Sequence, residues 1–204
     1  MHEQLTAVLQ LIRLKGRVSP ATMGDSLGLG ETEVNDALTQ LQTAGAITAS
    51  NGNYRISADG HQQLSARIAT ERAAINQAAM ADAYERFHHL NTSFKQLVTA
   101  WQLKGGTPND HSDADYDRNI VSELRALHQR FTPLLSTMIV LAPRLAPYPT
   151  RLNRALIRLD AGDHSAFARP MVDSYHTVWF ELHEDLIGML GLSREAEAAA
   201  GRAE

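Results

Sequence analysis

Between Ser19 and His61 the chain changes its punctuation every few residues, and the order of those changes leaves few folds open. Ser19 is a good helix N-cap, and Pro20 suits the first helical position because its missing N–H would be unpaired there. A helix is predicted from there to about Leu27, with Gly28 and Gly30 bracketing a turn. A further helix then begins at Glu31. Its Val34, Leu38 and Leu41 recur at i, i+4, i+7, and Gly45 stops it in the C′ position. Ile47–Ser50 and Tyr54–Ile56 read as strands, and Asn51-Gly52-Asn53 between them is a strong hairpin turn signal. Upstream, Leu5, Val8, Leu9 and Ile12 set out an amphipathic helix ending near Gly16, and Arg17-Val18 can form a short strand. Ser57 or Asp59 caps whatever helix follows.

The remainder has a different texture. From Asp59 to Lys104 there is no proline and only one glycine, Gly60. Apolar residues from Leu64 to Trp101 keep a helical rhythm, which predicts one long helix, or two with a break near His89 to Thr92. Gly105 to His111 reads as a loop. Further helices are expected near Asp113–Phe131, Pro133–Leu141, Thr150–Asp160 and Val172–Leu190, with an Ala-rich tail from Ser193 expected to fray. Nothing after residue 60 alternates like a strand. The expected architecture is mainly α. A small N-terminal domain, 1–60, carries a β-hairpin, and a long linker helix leads into an all-α bundle, 61–204.

Composition narrows the function classes. The chain has no cysteine, which excludes disulfides and thiolate metal sites and fits a reducing compartment. The N-terminus lacks the basic start and apolar run of a signal peptide, and Met138–Ala142 is far too short to span a bilayer, so a cytoplasmic protein with no membrane partner is expected. Lysine occurs only at 15, 95 and 104 while arginine is frequent, a pattern of high-GC bacterial genomes. The net charge of −4 speaks against a generically basic nucleic-acid binder but leaves a local binding face open.

The helix–turn–helix–hairpin order is the layout of a winged helix-turn-helix. The stretch from Met23 to Ile47 resembles the helix-turn-helix of bacterial regulators of the MarR and GntR type. That resemblance implies a DNA-binding head whose helix from Glu31 to Ala44 enters the major groove. Asn35 would bond adenine edges, Thr32 and Thr39 would take phosphates or a thymine methyl, and Glu31 would accept from cytosine. Ser19 and the hairpin's Asn51, Asn53 and Arg55 complete the expected DNA-facing set. Electrostatics oppose this reading. Residues 1–60 hold four cations, Arg13, Lys15, Arg17 and Arg55, against six acids, Glu3, Asp25, Glu31, Glu33, Asp36 and Asp59. Phosphate contacts supply most DNA affinity, and donors for them are few here. A winged module used for protein contact is the alternative.

The densest chemistry lies in Asp173–Ile187. On a helix, Tyr175, Trp179, Leu182, Leu186 and Met189 share one stripe and His176, Phe180, His183 and Ile187 the next. Glu181, Glu184 and Asp185 fall toward the polar side. Together with Asn91–Leu103, Tyr116-Asp117 and Tyr148–Leu156, this segment resembles a helical domain of actinobacterial proteins found beside winged heads and beside phosphoenolpyruvate-utilising-type segments. The similarity covers about residues 88–197 and carries no activity with it. Ala155–Asp163 followed by His176 also resembles the helical effector domain of GntR-type regulators, which implies a metal held by an Asp and three His. The pattern departs from that family where Asp117 is followed four residues later by Val121 rather than His. His176 and His183 lie two helical turns apart, roughly 10 Å along the axis, too far for one ion without other helices between them. Arg151, Arg154 and Arg158 form a basic stripe, suited to a carboxylate or phosphate or to pairing with Glu181, Glu184 or Asp185.

A ligand pocket is therefore expected among Trp101, Tyr148, Arg151, Arg154, Tyr175, His176, Trp179 and His183, with no metal and no cofactor beyond a small, possibly anionic effector. No nucleophile elbow, phosphate-cradling glycine loop or dinucleotide fingerprint is present, so no enzyme is expected. Asp110, Asp113, Asp115 and Asp117 read as a helix start. The resulting expectation is a homodimeric, ligand-responsive regulator of double-stranded DNA. A protein-interaction module and a small helical metal protein or enzyme stand as alternatives.

Overall fold

The computed structural model describes residues 2–199 and 201 and divides into two compact units, Met1–Ile75 and Asn76–Glu204. The chain is mainly helical, with two short antiparallel hairpins among the described residues.

The first unit runs α1 (His2–Lys15), α2 (Pro20–Leu27), α3 (Glu31–Thr43), β1 (Ile47–Ser50), β2 (Asn53–Ile56) and α4 (Ala58–Ala74). Ser19 caps α2 by accepting from the Thr22 N–H at 3.2 Å. Gly28 and Gly45 end α2 and α3 at φ +69° and +68°, a left-handed geometry that costs other residues a Cβ clash. The two strands pair Ile47 with Ile56 and Ser50 with Asn53, and Val18 adds an isolated bridge to Tyr54. One apolar core forms from Val8, Leu9 and Ile12 on α1, Met23 on α2, Val34, Leu38 and Leu41 on α3, and Leu64 on α4.

Gly60 shows how tightly the hairpin and α4 are joined. A Cβ there would lie 1.9 Å from the Ala46 carbonyl oxygen and 2.8 Å from Ile56 Cγ1. Ser57 locks the same corner: its hydroxyl donates to the Gly45 carbonyl at 2.6 Å and accepts from the Gly60 N–H at 2.9 Å.

The second unit comprises α5 (Gln77–Gln102), β3 (Leu103–Lys104), β4 (Thr107–Pro108), α6 (Ala114–Leu141), a 3₁₀ turn (Pro143–Leu145), α7 (Tyr148–Asp160), α8 (Ser165–Ala168), α9 (Tyr175–Leu190) and α10 (Arg194–Ala199). α9 is its axis. Trp179 packs against Phe131, Phe94 and Phe87 with ring centroids 4.6, 4.7 and 5.1 Å apart. Its indole N–H donates to Asn91 Oδ1 at 2.9 Å.

Six expectations are corrected. The helical run after the hairpin breaks at Ile75, not near His89: Ile75 is extended, and Asn76 caps α5 by accepting from the Ala79 N–H. No continuous helix links the first unit to the second. The expected boundary at residue 60 therefore falls inside α4, which belongs to the first unit. Pro133 does not separate two helices but sits within α6, where buried Phe131, Leu134, Leu135 and Met138 hold the helix across the missing N–H. The Gly105–His111 loop opens with the β3–β4 hairpin, Leu103 pairing with Pro108. The tail from Ser193 forms α10, anchored by buried Glu197. Finally, Glu181 and Asp185 do not face solvent. α9 is enclosed on nearly all sides, so both carboxylates are buried against arginines.

Candidate functional site: an exposed helix face and a histidine-lined cleft

In the first unit α3 is sharply two-faced. Val34, Ala37, Leu38 and Leu41 are buried, while Glu31, Thr32, Glu33, Asn35, Asp36, Thr39 and Gln40 are exposed. Arg55 and Asn51 are exposed on the hairpin, and Asn53 is half-buried, its amide donating to the Asn51 carbonyl at 3.0 Å. Two more residues of the expected set have local duties. The Ser19 hydroxyl is committed to capping α2. The Thr39 hydroxyl donates back to the Asn35 carbonyl at 2.9 Å. Of the three acids on α3, Glu33 is explained by its bond from the Gly30 N–H at 2.9 Å, a capping contact at the helix start. Arg17 reaches the Ser50 carbonyl beside the hairpin turn.

In the second unit the expected ligand residues separate into several places. His176, Trp179 and His183 line one narrow cleft, with a cavity volume of only about 20 Å³, joined by Asn91, Phe94, Lys95, Val98, Phe180 and Arg194. The wall is aromatic and the rim cationic. Arg194 lies over the Phe180 ring at 4.5 Å and pairs with Glu184. Burial pushes the His183 imidazole down to about 4, helped by the positive charges of Arg194 and Lys95. At neutral pH His183 is therefore an uncharged donor. Its Nε2 lies 3.0 Å from the Tyr84 hydroxyl, which donates to Glu197 Oε2 at 2.8 Å.

Arg151 and Tyr148 belong to a separate, buried ionic network. Arg151 donates to Asp173 through Nε and Nη2, at 2.9 and 3.0 Å, and to Glu181 at 2.6 Å. Arg144 donates to Asp185 Oδ1 at 2.8 Å, and the Tyr148 hydroxyl donates to Asp185 Oδ2 at 2.5 Å. Burial, reinforced by Asp185, holds the Tyr148 phenol well above its ordinary range. Burial alone would lower Arg151, but Glu181 and Asp173 outweigh it and hold the guanidinium charged. This arrangement fixes α7 and the 3₁₀ turn against α9, and its guanidiniums already have carboxylate partners. Arg154 is exposed. Tyr175 is buried with its hydroxyl 3.1 Å from His128 Nδ1. Trp101 stacks on Phe167, centroids 4.4 Å apart, away from the cleft's lining.

No protein-family model, curated protein or solved structure matches this chain.

Six lining residues lie outside the expected set, the apolar Phe94, Val98 and Phe180 and the polar Asn91, Lys95 and Arg194. Asn91 had a signal. Phe87, Asn91, Phe94, Val98 and Trp101 fall on one helical stripe, and an amide in an apolar stripe needs a buried partner. Arg194 had none, because α10 reads as a polar tail.

Proposed function

We infer that the chain is a DNA-binding regulator whose first unit is a winged helix-turn-helix and whose second unit senses a small anionic molecule. The observation that carries this reading is α3: one face is seated in the core, and the other offers Glu31, Thr32, Asn35 and Thr39 to solvent. Asn35 on this exposed face has the donor–acceptor pair that reads adenine, and exposed Arg55 on the hairpin supplies a phosphate or minor-groove contact. The acids remain a cost. Glu33 is occupied at the helix start, which leaves Glu31 and Asp36 facing a phosphate backbone. Affinity is therefore modest per head, and a homodimer on a two-fold site is the arrangement that would raise it.

The cleft is narrow, with room for little more than a water, and would have to widen to take an anion with an apolar or aromatic body. Phe94, Trp179 and Phe180 give flat walls, His176 and the neutral His183 give polar contacts, and Lys95 and Arg194 give charge.

The test is fluorescence anisotropy of the full chain on labelled fragments from upstream of its own gene, at several salt concentrations. Binding should weaken with salt, log K falling by about 0.9 per phosphate contacted for each unit of log salt. Asn35→Ala with Arg55→Ala should weaken it roughly tenfold or more. Flat titrations on every fragment at low salt would overturn the reading. The exposed acids of α3 favour a second reading, docking of that face on a basic protein partner. A stoichiometric protein partner lost on Glu31→Lys, with no DNA bound, selects it.

A further inference from the structure

One cluster lies outside both the exposed face of α3 and the cleft. Asp117 belongs to the buried stripe of α6 that continues through Ile120, Leu124, Leu127 and Phe131, and its side chain is only 5% exposed. A carboxylate in such a stripe must be met by donors or a cation. Two imidazoles meet it. His111 Nδ1 lies 2.9 Å from Asp117 Oδ2, and His164 Nδ1 lies 3.9 Å from the same oxygen. All three donor atoms fall within 4.8 Å of one another.

The surroundings orient the carboxylate. Asn109 donates one amide proton to Asp117 Oδ1 at 2.9 Å and the other to the Trp101 carbonyl at 3.1 Å. Its own carbonyl accepts from the His111 N–H at 3.2 Å. Oδ1 is thereby held, and Oδ2 is turned toward the two rings. Trp101 packs on His111 at 4.5 Å and meets His164 edge-on at 5.4 Å, giving the cluster an apolar floor. His164 is half exposed, so one side opens to solvent.

We propose that His111, Asp117 and His164 form a binding site for a divalent transition-metal ion of the zinc(II) class. Donors about 2.1 Å from a tetrahedral ion stand about 3.4 Å apart, and 2.9 and 3.9 Å bracket that spacing. Two imidazoles and one carboxylate are a borderline nitrogen–oxygen set that favours zinc(II) or cobalt(II) over calcium or magnesium. Three protein ligands and an open solvent side leave a position for water or an exchangeable anion. Asn109 is the outer-shell partner that fixes the carboxylate. On binding, His111 takes the tautomer with its proton on Nε2, so that Nδ1 offers its lone pair to the ion in place of its hydrogen bond to Asp117. The site joins the loop before α6, α6 itself and the turn before α8. It depends on neither the DNA reading nor the effector reading.

The full chain, stripped with a chelator and dialysed, is titrated with zinc(II) against a chromophoric competitor. One zinc per chain is expected, with affinity falling at least about tenfold in His164→Gln and in Asn109→Ala. His164→Gln is the decisive variant, because that ring is half exposed and its loss should leave the fold intact, as far-UV circular dichroism would verify. Cobalt(II) should quench Trp101 emission in a Trp179→Phe background. Binding that is absent, or unchanged in His164→Gln, overturns the proposal; in the latter case the zinc sits on other histidines.

Discussion

The two units solve the problem of the interior differently. The first builds its core from aliphatic side chains and keeps its acids outside. The second buries Arg144, Arg151, Asp117, Glu181, Asp185, His183 and Glu197 among its aromatics. An aliphatic core tolerates apolar residues of similar volume, so its sequence shows plain periodicity. A core containing ions stands only while each charge keeps its partner. The first unit is therefore the more forgiving inside and free to vary its outer face, whereas the second is rigidly specified around α9.

That contrast can be broken in several ways. The largest expected effect is Arg151→Met, which strips Glu181 and Asp173 of their shared guanidinium and should cost the second unit about 3–5 kcal/mol. Both tryptophans, Trp101 and Trp179, lie in that unit. Urea unfolding followed by their emission should shift strongly, while hydrogen exchange in α1–α3 stays unchanged. An equal loss of protection in α1–α3 would refute the separation.

Next is Gly60→Ala. Its methyl would meet the Ala46 carbonyl, and the cost should lie toward the top of the roughly 1–3 kcal/mol range for overpacking. Here the outcome is reversed: helical circular dichroism falls early in urea, and the tryptophan transition keeps its midpoint.

The third is a pH test. His183 has its folded value pulled down to about 4 from 6.5. Above pH 6.5 both states are neutral at this site. As pH falls, the unfolded chain takes up the proton first, so stability drops from about pH 6.5 through 4, by roughly 3 kcal/mol at the full extent. His183→Gln should flatten that slope in the tryptophan-detected unfolding. A slope that survives the substitution assigns the proton to another group. The smallest effect is Ser19→Ala, which removes the α2 cap and should cost the first unit about 1 kcal/mol.

The same contrast explains what could be read in advance. The first unit's elements follow from local signals: Ser19 before Pro20, the glycines at 28 and 45, and the turn at Asn51-Gly52. In the second unit, local signals compete with packing. Pro133 marks a helix start by local rule, yet α6 passes through it because Phe131 and Leu135 are buried on either side. Glu181 and Asp185 look solvated by residue type, and only Arg151 and Arg144, brought from elsewhere in the chain, make their burial affordable. The break at Ile75 has a single local signal, the cap-forming residue type of Asn76, and unbroken helix-forming residues on both sides outweigh it. Of the candidate pocket, the aromatic wall was visible and the cationic rim was not, since Arg194 reaches it from a segment with almost no apolar pattern.

That last helix has a practical consequence. α10 contributes Arg194 to the cleft and Glu197 to the hydrogen bond from Tyr84. Trimming an alanine-rich end is a routine way to tidy a protein for crystallisation or for a fusion tag. Here a cut before Arg194 would remove one side of the cleft and leave a tyrosine hydroxyl facing water, so a shortened chain that ignores small anions would say nothing about the intact one.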